Sequence, residues 1–185
     1  MLDFIKFNVE NSTEKDCKPE ILKKLNAVYK TTKEQSVKNT IAKVLQTSKI
    51  ILPIGRCHGD LTLSNIIVTN QKALYFIDFL DSFIDSPMMD IIKLRQDTKH
   101  LWQFYSNYGT VNLDKIRYCT MMARIDSIIC SDAVVHPLLK YYNILHAVNF
   151  SRILPYFSND LTKKYVINEI ECLNGFNSSS SRQIN

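Results

Sequence analysis

A chain of 185 residues with 45% hydrophobic and 22% charged positions has the length of one domain and the balance of a globular one, which excludes a disordered, collagenous or low-complexity protein. Its formal charge of +5 is concentrated between Lys15 and Lys49. Lysines there alternate with apolar positions, without arginine clusters or interleaved aromatics, so the segment reads as the wet face of helices and no nucleic-acid partner is expected. No apolar run approaches the ~20 residues that cross a bilayer, and residues 1–10 carry charges where a signal peptide needs an apolar stretch. Cys17, Cys57, Cys119, Cys130 and Cys172 lie far apart with no C-x-x-C pair, which argues against a zinc site and a dense disulfide framework. The expectation is a cytoplasmic protein with reduced thiols and no membrane partner.

Along the chain, apolar residues recur at helical spacing over residues 19–29 (Ile21, Leu22, Leu25, Val28) and 34–45 (Val37, Ile41, Val44, Leu45), predicting two helices. The period then changes. Residues 50–54 form a short apolar stretch interrupted by Pro53, residues 65–69 and 73–79 read as short strands, and Asn70-Gln71-Lys72 is the turn that joins them into a hairpin. Helical patterning returns over 88–108, 113–130, 137–154 and 159–173, with Gly109, Pro137, Pro155 and Gly175 near the ends of the blocks. The predicted fold is α+β and mainly α: a small hairpin beside a polar loop, and a helical pack. Residues 1–176 are expected to form one domain, and the Ser- and Asn-rich residues 177–185 a frayed tail.

Chemistry is concentrated in Cys57-His58-Gly59-Asp60-Leu61-Thr62-Leu63-Ser64-Asn65-Ile66-Ile67-Val68 and in the following Leu74-Tyr75-Phe76-Ile77-Asp78-Phe79. Asp60 and Asn65 fall on the loop entering the hairpin and Asp78 at the end of its second strand, so all three can face one cleft. Phosphoryl transfer asks for Mg²⁺ held against the phosphates by hard oxygen ligands and for a carboxylate that orients the attacking hydroxyl. Asp, Asn and Asp supply that set.

These motifs resemble the aminoglycoside phosphotransferase and choline kinase family, the small-molecule branch of the protein-kinase-like fold. The resemblance rests on H-G-D-L-x-x-x-N-I-[IL]-V, then I-D-F, then D-x-P-x-x-D read as Asp85-Ser86-Pro87-Met88-Met89-Asp90. Protein kinases share the His-x-Asp-x-x-x-x-Asn spacing but carry Arg where this chain has Gly59 and Gly where it has Leu80. The resemblance implies the family's helical C-terminal lobe, with Asp60 as catalytic carboxylate. It implies Asn65 and Asp78 as ligands of Mg²⁺ bridging the phosphates of ATP or another nucleoside triphosphate, and His58 and Asp90 as structural supports of the loop, Asp90 through backbone amides. The implied partner is a small-molecule hydroxyl acceptor such as an amino alcohol, an aminoglycoside or a sugar.

Trp102, Tyr105 and Tyr108 recur every three residues on a helix that by resemblance borders the acceptor pocket, and Asp81 and Asp85 lie just beyond Asp78. Aromatic faces and carboxylates suit a cationic acceptor, but the same residues read more readily as a core stripe on an amphipathic helix and two loop acids, and a sugar or other hydroxyl acceptor fits as well. His100, His136 and His146 read as core or surface histidines.

A complete family member also has a smaller N-terminal lobe with a loop over the nucleotide and a strand lysine paired with a helix glutamate. The residues before His58 read as helix, the four glycines are Gly55, Gly59, Gly109 and Gly175, and no lysine upstream of His58 has a V-A-x-K context. That lobe is therefore expected to be absent, leaving a kinase fragment, a lobe completed by a separate chain, or a minimal relative that binds ligand without transferring phosphate. Weak or no turnover alone is expected, as is an exposed apolar face at the docking place of the missing lobe that favours self-association. A non-catalytic ligand-binding or interaction module is the rival reading. A metal-dependent phosphohydrolase is disfavoured by the absence of further His ligands near the motif.

Overall fold

The two amphipathic segments nearest the N-terminus fold as α2 (Lys18–Thr32), which buries Ile21, Leu25 and Val28, and α3 (Gln35–Gln46), which buries Val37 and Val44, in a computed structural model that describes residues 1–106 and 115–175. Two elements precede or interleave with them that periodicity did not announce. Residues read only as too charged for a leader form α1 (Leu2–Glu10), burying Ile5 and Asn8. The polar run Thr13–Asp16 forms β1, paired antiparallel with β2 (Ile51–Ile54) from Thr13 opposite Ile54 to Asp16 opposite Ile51. Pro53 is tolerated because alternate amides of a two-stranded ribbon face away from the partner. The Asp16 carboxylate accepts the amides of Lys18 and Ile50, each at 3.1 Å, and so ties the start of α2 to the residue leading into β2.

The hairpin is shorter than the sequence suggests. It consists of β3 (Ile66–Val68) and β4 (Leu74–Phe76), with Ile66 opposite Phe76 and Val68 opposite Leu74. Asn65 belongs to a 3₁₀ turn, Leu63–Asn65, and Asp78 leaves the strand by adopting φ 58°, which a short polar side chain tolerates better than most.

The block read as one helix over 88–108 is α4 (Pro87–Thr98) followed by α5 (Trp102–Ser106). The break falls at Leu101, φ 53°; Tyr108 lies outside the described residues. After α6 (Lys115–Ser131) comes α7 (Val135–Leu138), a 3₁₀ turn Leu139–Tyr141, α8 (Tyr142–Ile153), a 3₁₀ turn Leu154–Tyr156 containing Pro155, and α9 (Asp160–Asn174). Asn159 caps α9 through its side chain, and Gly175 closes it in the left-handed conformation at φ 84°. The residues expected to form a tail, 177–185, also lie outside the described ones.

The core is centred on α4 and α8, both buried nearly all round, with α8 packed on α2, α3, α4 and α9. Full enclosure obliges their polar residues to find partners. Arg95 holds Asp126 at 2.8 and 3.0 Å, Thr98 donates to the same carboxylate at 3.0 Å, and Asn149 donates to Gln96 at 2.7 Å. The described fold is mainly helical with two small antiparallel sheets. Among the described residues no helix is long and apolar enough to cross a membrane, and the five cysteines are free thiols.

Candidate functional site

α4 starts at a strong signal: Ser86 accepts the amide of Met88 at 3.2 Å, and Pro87 fits the first turn. From there Asp90, Lys93 and Asp97 fall at helical spacing on one stripe, and that stripe carries the loop between β2 and β3. Asp90 accepts the His58 amide at Oδ2, 2.8 Å, and the Gly59 amide at Oδ1, 2.9 Å. Lys93 Nζ lies 3.0 Å from Asp60 Oδ1. One turn on, Asp97 Oδ2 accepts the Leu63 amide at 2.8 Å.

Asp90 is fully buried, and desolvation pushes its carboxyl up to about 6 against the two amide bonds that favour the charged form. Burial likewise lifts Asp97 to about 6, opposed by the Leu63 amide and the Lys93 charge and reinforced by Asp60. These two acids are anchors enclosed in protein, whereas Asp60, whose side chain is 28% exposed, faces solvent.

His58 is buried and stacked on Phe79, centroids 4.2 Å apart, with its Nδ1 3.4 Å from the Asp60 amide and its carbonyl accepting the Leu80 amide at 2.9 Å. Gly59, at φ 82°, lies so close to the chain beyond β4 that a Cβ would stand 1.8 Å from the Leu80 carbonyl oxygen. On the other flank the Ile77 amide donates to the Asn65 carbonyl at 3.1 Å. Asp78 therefore sits between two backbone bonds that fasten its segment to the loop, one to Asn65 and one to His58. Asn65 turns its amide nitrogen toward Asp60, donating to the carbonyl at 2.9 Å and to Oδ2 at 3.3 Å. Among the described residues no donor meets its amide oxygen.

Asn65 and the exposed Asp78 thus offer hard oxygens from adjoining segments. Mg²⁺ takes one or two protein carboxylates and completes its shell with phosphate and water, so this donor pair fits it. No group of three or more His, Cys, Asp or Glu suited to a metal occurs among the described residues.

The remaining candidates separate. Asp81 and Asp85 line a cleft of about 730 Å³ together with Phe4, Phe79, Arg56 and Cys57, and Asp85 Oδ1 accepts the Ser82 amide at 3.2 Å. Burial pushes the Cys57 thiol up to about 12, which leaves it a poor nucleophile. Trp102 and Tyr105 are not in this cleft. Because the helix breaks at Leu101 they belong to α5, where Trp102 packs on Phe150 and Phe157 and Tyr105 stacks on Tyr165 at 4.3 Å.

Lys93 and Asp97 were not singled out from the sequence, although a signal existed in their spacing of three and seven residues from Asp90.

Comparison with curated proteins finds no match, nor does comparison with solved structures. A family model described as phosphotransferase enzyme family matches residues 14–110, more than half of the chain, from β1 through the loop, the hairpin and α4. With that match and the motifs assembled at one place in the fold, the chain belongs to the phosphotransferase enzyme family.

Proposed function

We propose that the chain is the C-terminal, protein-kinase-like catalytic lobe of an ATP-dependent O-phosphotransferase acting on a hydroxyl of a small molecule. The observation that carries this reading is the pair of backbone bonds, Ile77 to Asn65 and Leu80 to His58, that brings Asp78 to the loop bearing Asp60 and Asn65. Asp60 accepts a hydrogen bond from the acceptor hydroxyl, turns its lone pair toward the terminal phosphorus, and takes the proton as the new oxygen–phosphorus bond forms and the nucleoside diphosphate leaves. Asn65 and Asp78 hold Mg²⁺, which when bound supplies charge neutralisation for the nucleotide phosphates. Asp90, Asp97 and His58 fix the loop, so that Asp60 need not be reorganised at the moment of reaction.

Apolar side chains stand exposed beside this site, among them Ile67, Val68, Leu74, Tyr75, Phe79 and Leu80. In this reading they receive a nucleotide-covering lobe on another chain or a second copy of this one, in the cytoplasm. A second reading, a module that binds ligand without transfer, draws on the ion pair of Lys93 with Asp60, which occupies one oxygen of the carboxylate.

Calorimetric titration with ATP, with and without Mg²⁺, tests the nucleotide site: metal-dependent binding lost in Asp78→Ala is expected. An acceptor screen with Asp60→Ala tests transfer, which should drop by about 10²–10⁴. Unchanged turnover in Asp60→Ala overturns the assignment, and metal-dependent nucleotide binding without any transfer favours the second reading.

A further inference from the structure

Of Asp90, Lys93 and Asp97, the lysine alone grips a side chain of the loop. Asp90 takes the amides of His58 and Gly59, and Asp97 that of Leu63, whereas Lys93, between them on α4, puts Nζ 3.0 Å from Asp60 Oδ1. Its ammonium has another acid at hand. Asp97 lies one turn on along the same face, at the spacing that makes helix side chains neighbours, and feels the lysine's charge. Asp97 is fully buried, and its Oδ1 has no hydrogen-bond partner among the described residues. The fold thus leaves a buried acceptor unmet while the cation goes to the partly exposed Asp60. A partly exposed ion pair adds little to stability, so stability does not account for this arrangement; control of the Asp60 carboxylate does.

Asp60 is held from two sides. Asn65 Nδ2 donates to Oδ2 at 3.3 Å and Lys93 to Oδ1, so donors from the loop and from α4 fix the plane of the carboxylate, the shorter contact being the lysine's. A carboxylate has about four lone-pair sites, and those not facing Lys93 or Asn65 stay open to an incoming hydroxyl. We propose that Lys93 is a positioning residue for Asp60. It fixes the carboxylate in the orientation that meets the acceptor hydroxyl, and its charge offsets the repulsion between that carboxylate and the nucleotide phosphates. The role in transfer rests on the phosphotransferase reading; the fixing of Asp60 does not. A lysine that only masked Asp60 would raise transfer on removal, whereas removal of a positioning lysine lowers it.

The test uses the full chain as wild type, Lys93→Met and Lys93→Arg, with thermal melts to report folding. Three-bond NMR couplings about the Asp60 χ1 bond, with Asp60→Asn identifying the signals, read the orientation of the side chain without any substrate. The expected result is one staggered orientation in wild type and Lys93→Arg, averaging among orientations in Lys93→Met, and similar melting temperatures for all three. Couplings already averaged in wild type, or unchanged in Lys93→Met, overturn the proposal. So does a Lys93→Met chain that is unfolded or melts far below wild type, because the pair then serves the fold. Transfer from Mg²⁺-loaded ATP to the acceptors of the screen gives the second readout. A kcat lower by about tenfold or more in Lys93→Met at unchanged KM, restored in part by Lys93→Arg, is expected; a kcat equal to or above that of wild type overturns the proposal and leaves the phosphotransferase reading standing. Asp60 fixed by Lys93 in a wild type that transfers phosphate to no acceptor screened sinks that reading and keeps the fixing of Asp60.

Discussion

Gly59 has no space for a side chain, since its φ of 82° is strained for any L residue and its missing Cβ points at the Leu80 carbonyl. Gly59→Ala must therefore either adopt a left-handed conformation against backbone or push the Asp78 segment off the loop. A loss of about 3 kcal/mol is expected in urea unfolding, with Mg²⁺-dependent nucleotide binding lost as well; wild-type stability would show that the two segments are not held in contact. At this scale the sequence was informative about motif residues and silent about their supports. His58, Gly59, Asp60, Asn65, Asp78 and Asp90 stood out through local spacing, and they come together in the fold. Lys93 and Asp97 did not, because charged residues spaced around a helix look the same whether the helix faces water or, as here, a loop laid across it.

Among the elements, α4 shows where local pattern ends and packing decides. Nothing near residue 101 signals a break: no Gly, no Pro. The helix stops because the His100 ring is held between Glu169, at 2.5 Å from Nδ1, and Tyr142, at 2.9 Å from Nε2, and because Tyr165 donates to the His100 carbonyl. Those partners come from distant α8 and α9. β1 was invisible for a related reason, since Thr13–Asp16 is polar and pairs only because β2 lies beside it. The anchoring stripe of α4 also has a pH signature. Asp97 keeps its proton up to about 6 in the fold and to about 4 in the unfolded chain. Between those values the native state binds more protons, so this acid's contribution to stability is fully present below about pH 4 and is lost as pH rises to 6. Asp97→Asn retains an acceptor for the Leu63 amide and lacks the titration. Relative to wild type it should gain up to about 3 kcal/mol between pH 4 and pH 7; a pH-independent difference in urea midpoints would contradict this.

Over the whole molecule the opposite pH trend comes from the histidines inside the helical pack. His146 is fully buried, has no hydrogen-bond partner at either ring nitrogen among the described residues, and lies 4.1 Å from the His100 ring. Burial, then the charges of His100, Arg95, Lys99 and Lys93, hold it well below the ordinary histidine range, and burial outweighs Glu169 in lowering His100. Both rings take up a proton less readily in the fold than in the unfolded chain, where histidines protonate near pH 6.5, so stability falls as pH drops below that value. His146→Leu should shrink the loss of melting temperature between pH 7 and pH 5; an unaltered loss would place its origin elsewhere. Loop and core are linked as well. Because Asp90 and Asp97 hold the amides of His58, Gly59 and Leu63 from within a buried helix, the loop has no hinge of its own and belongs to the same cooperative unit as α4. Hydrogen exchange at Gly59 and Leu63 should accordingly follow the slow opening of that helix, with matching protection and matching denaturant dependence, where an ordinary surface loop exchanges within minutes.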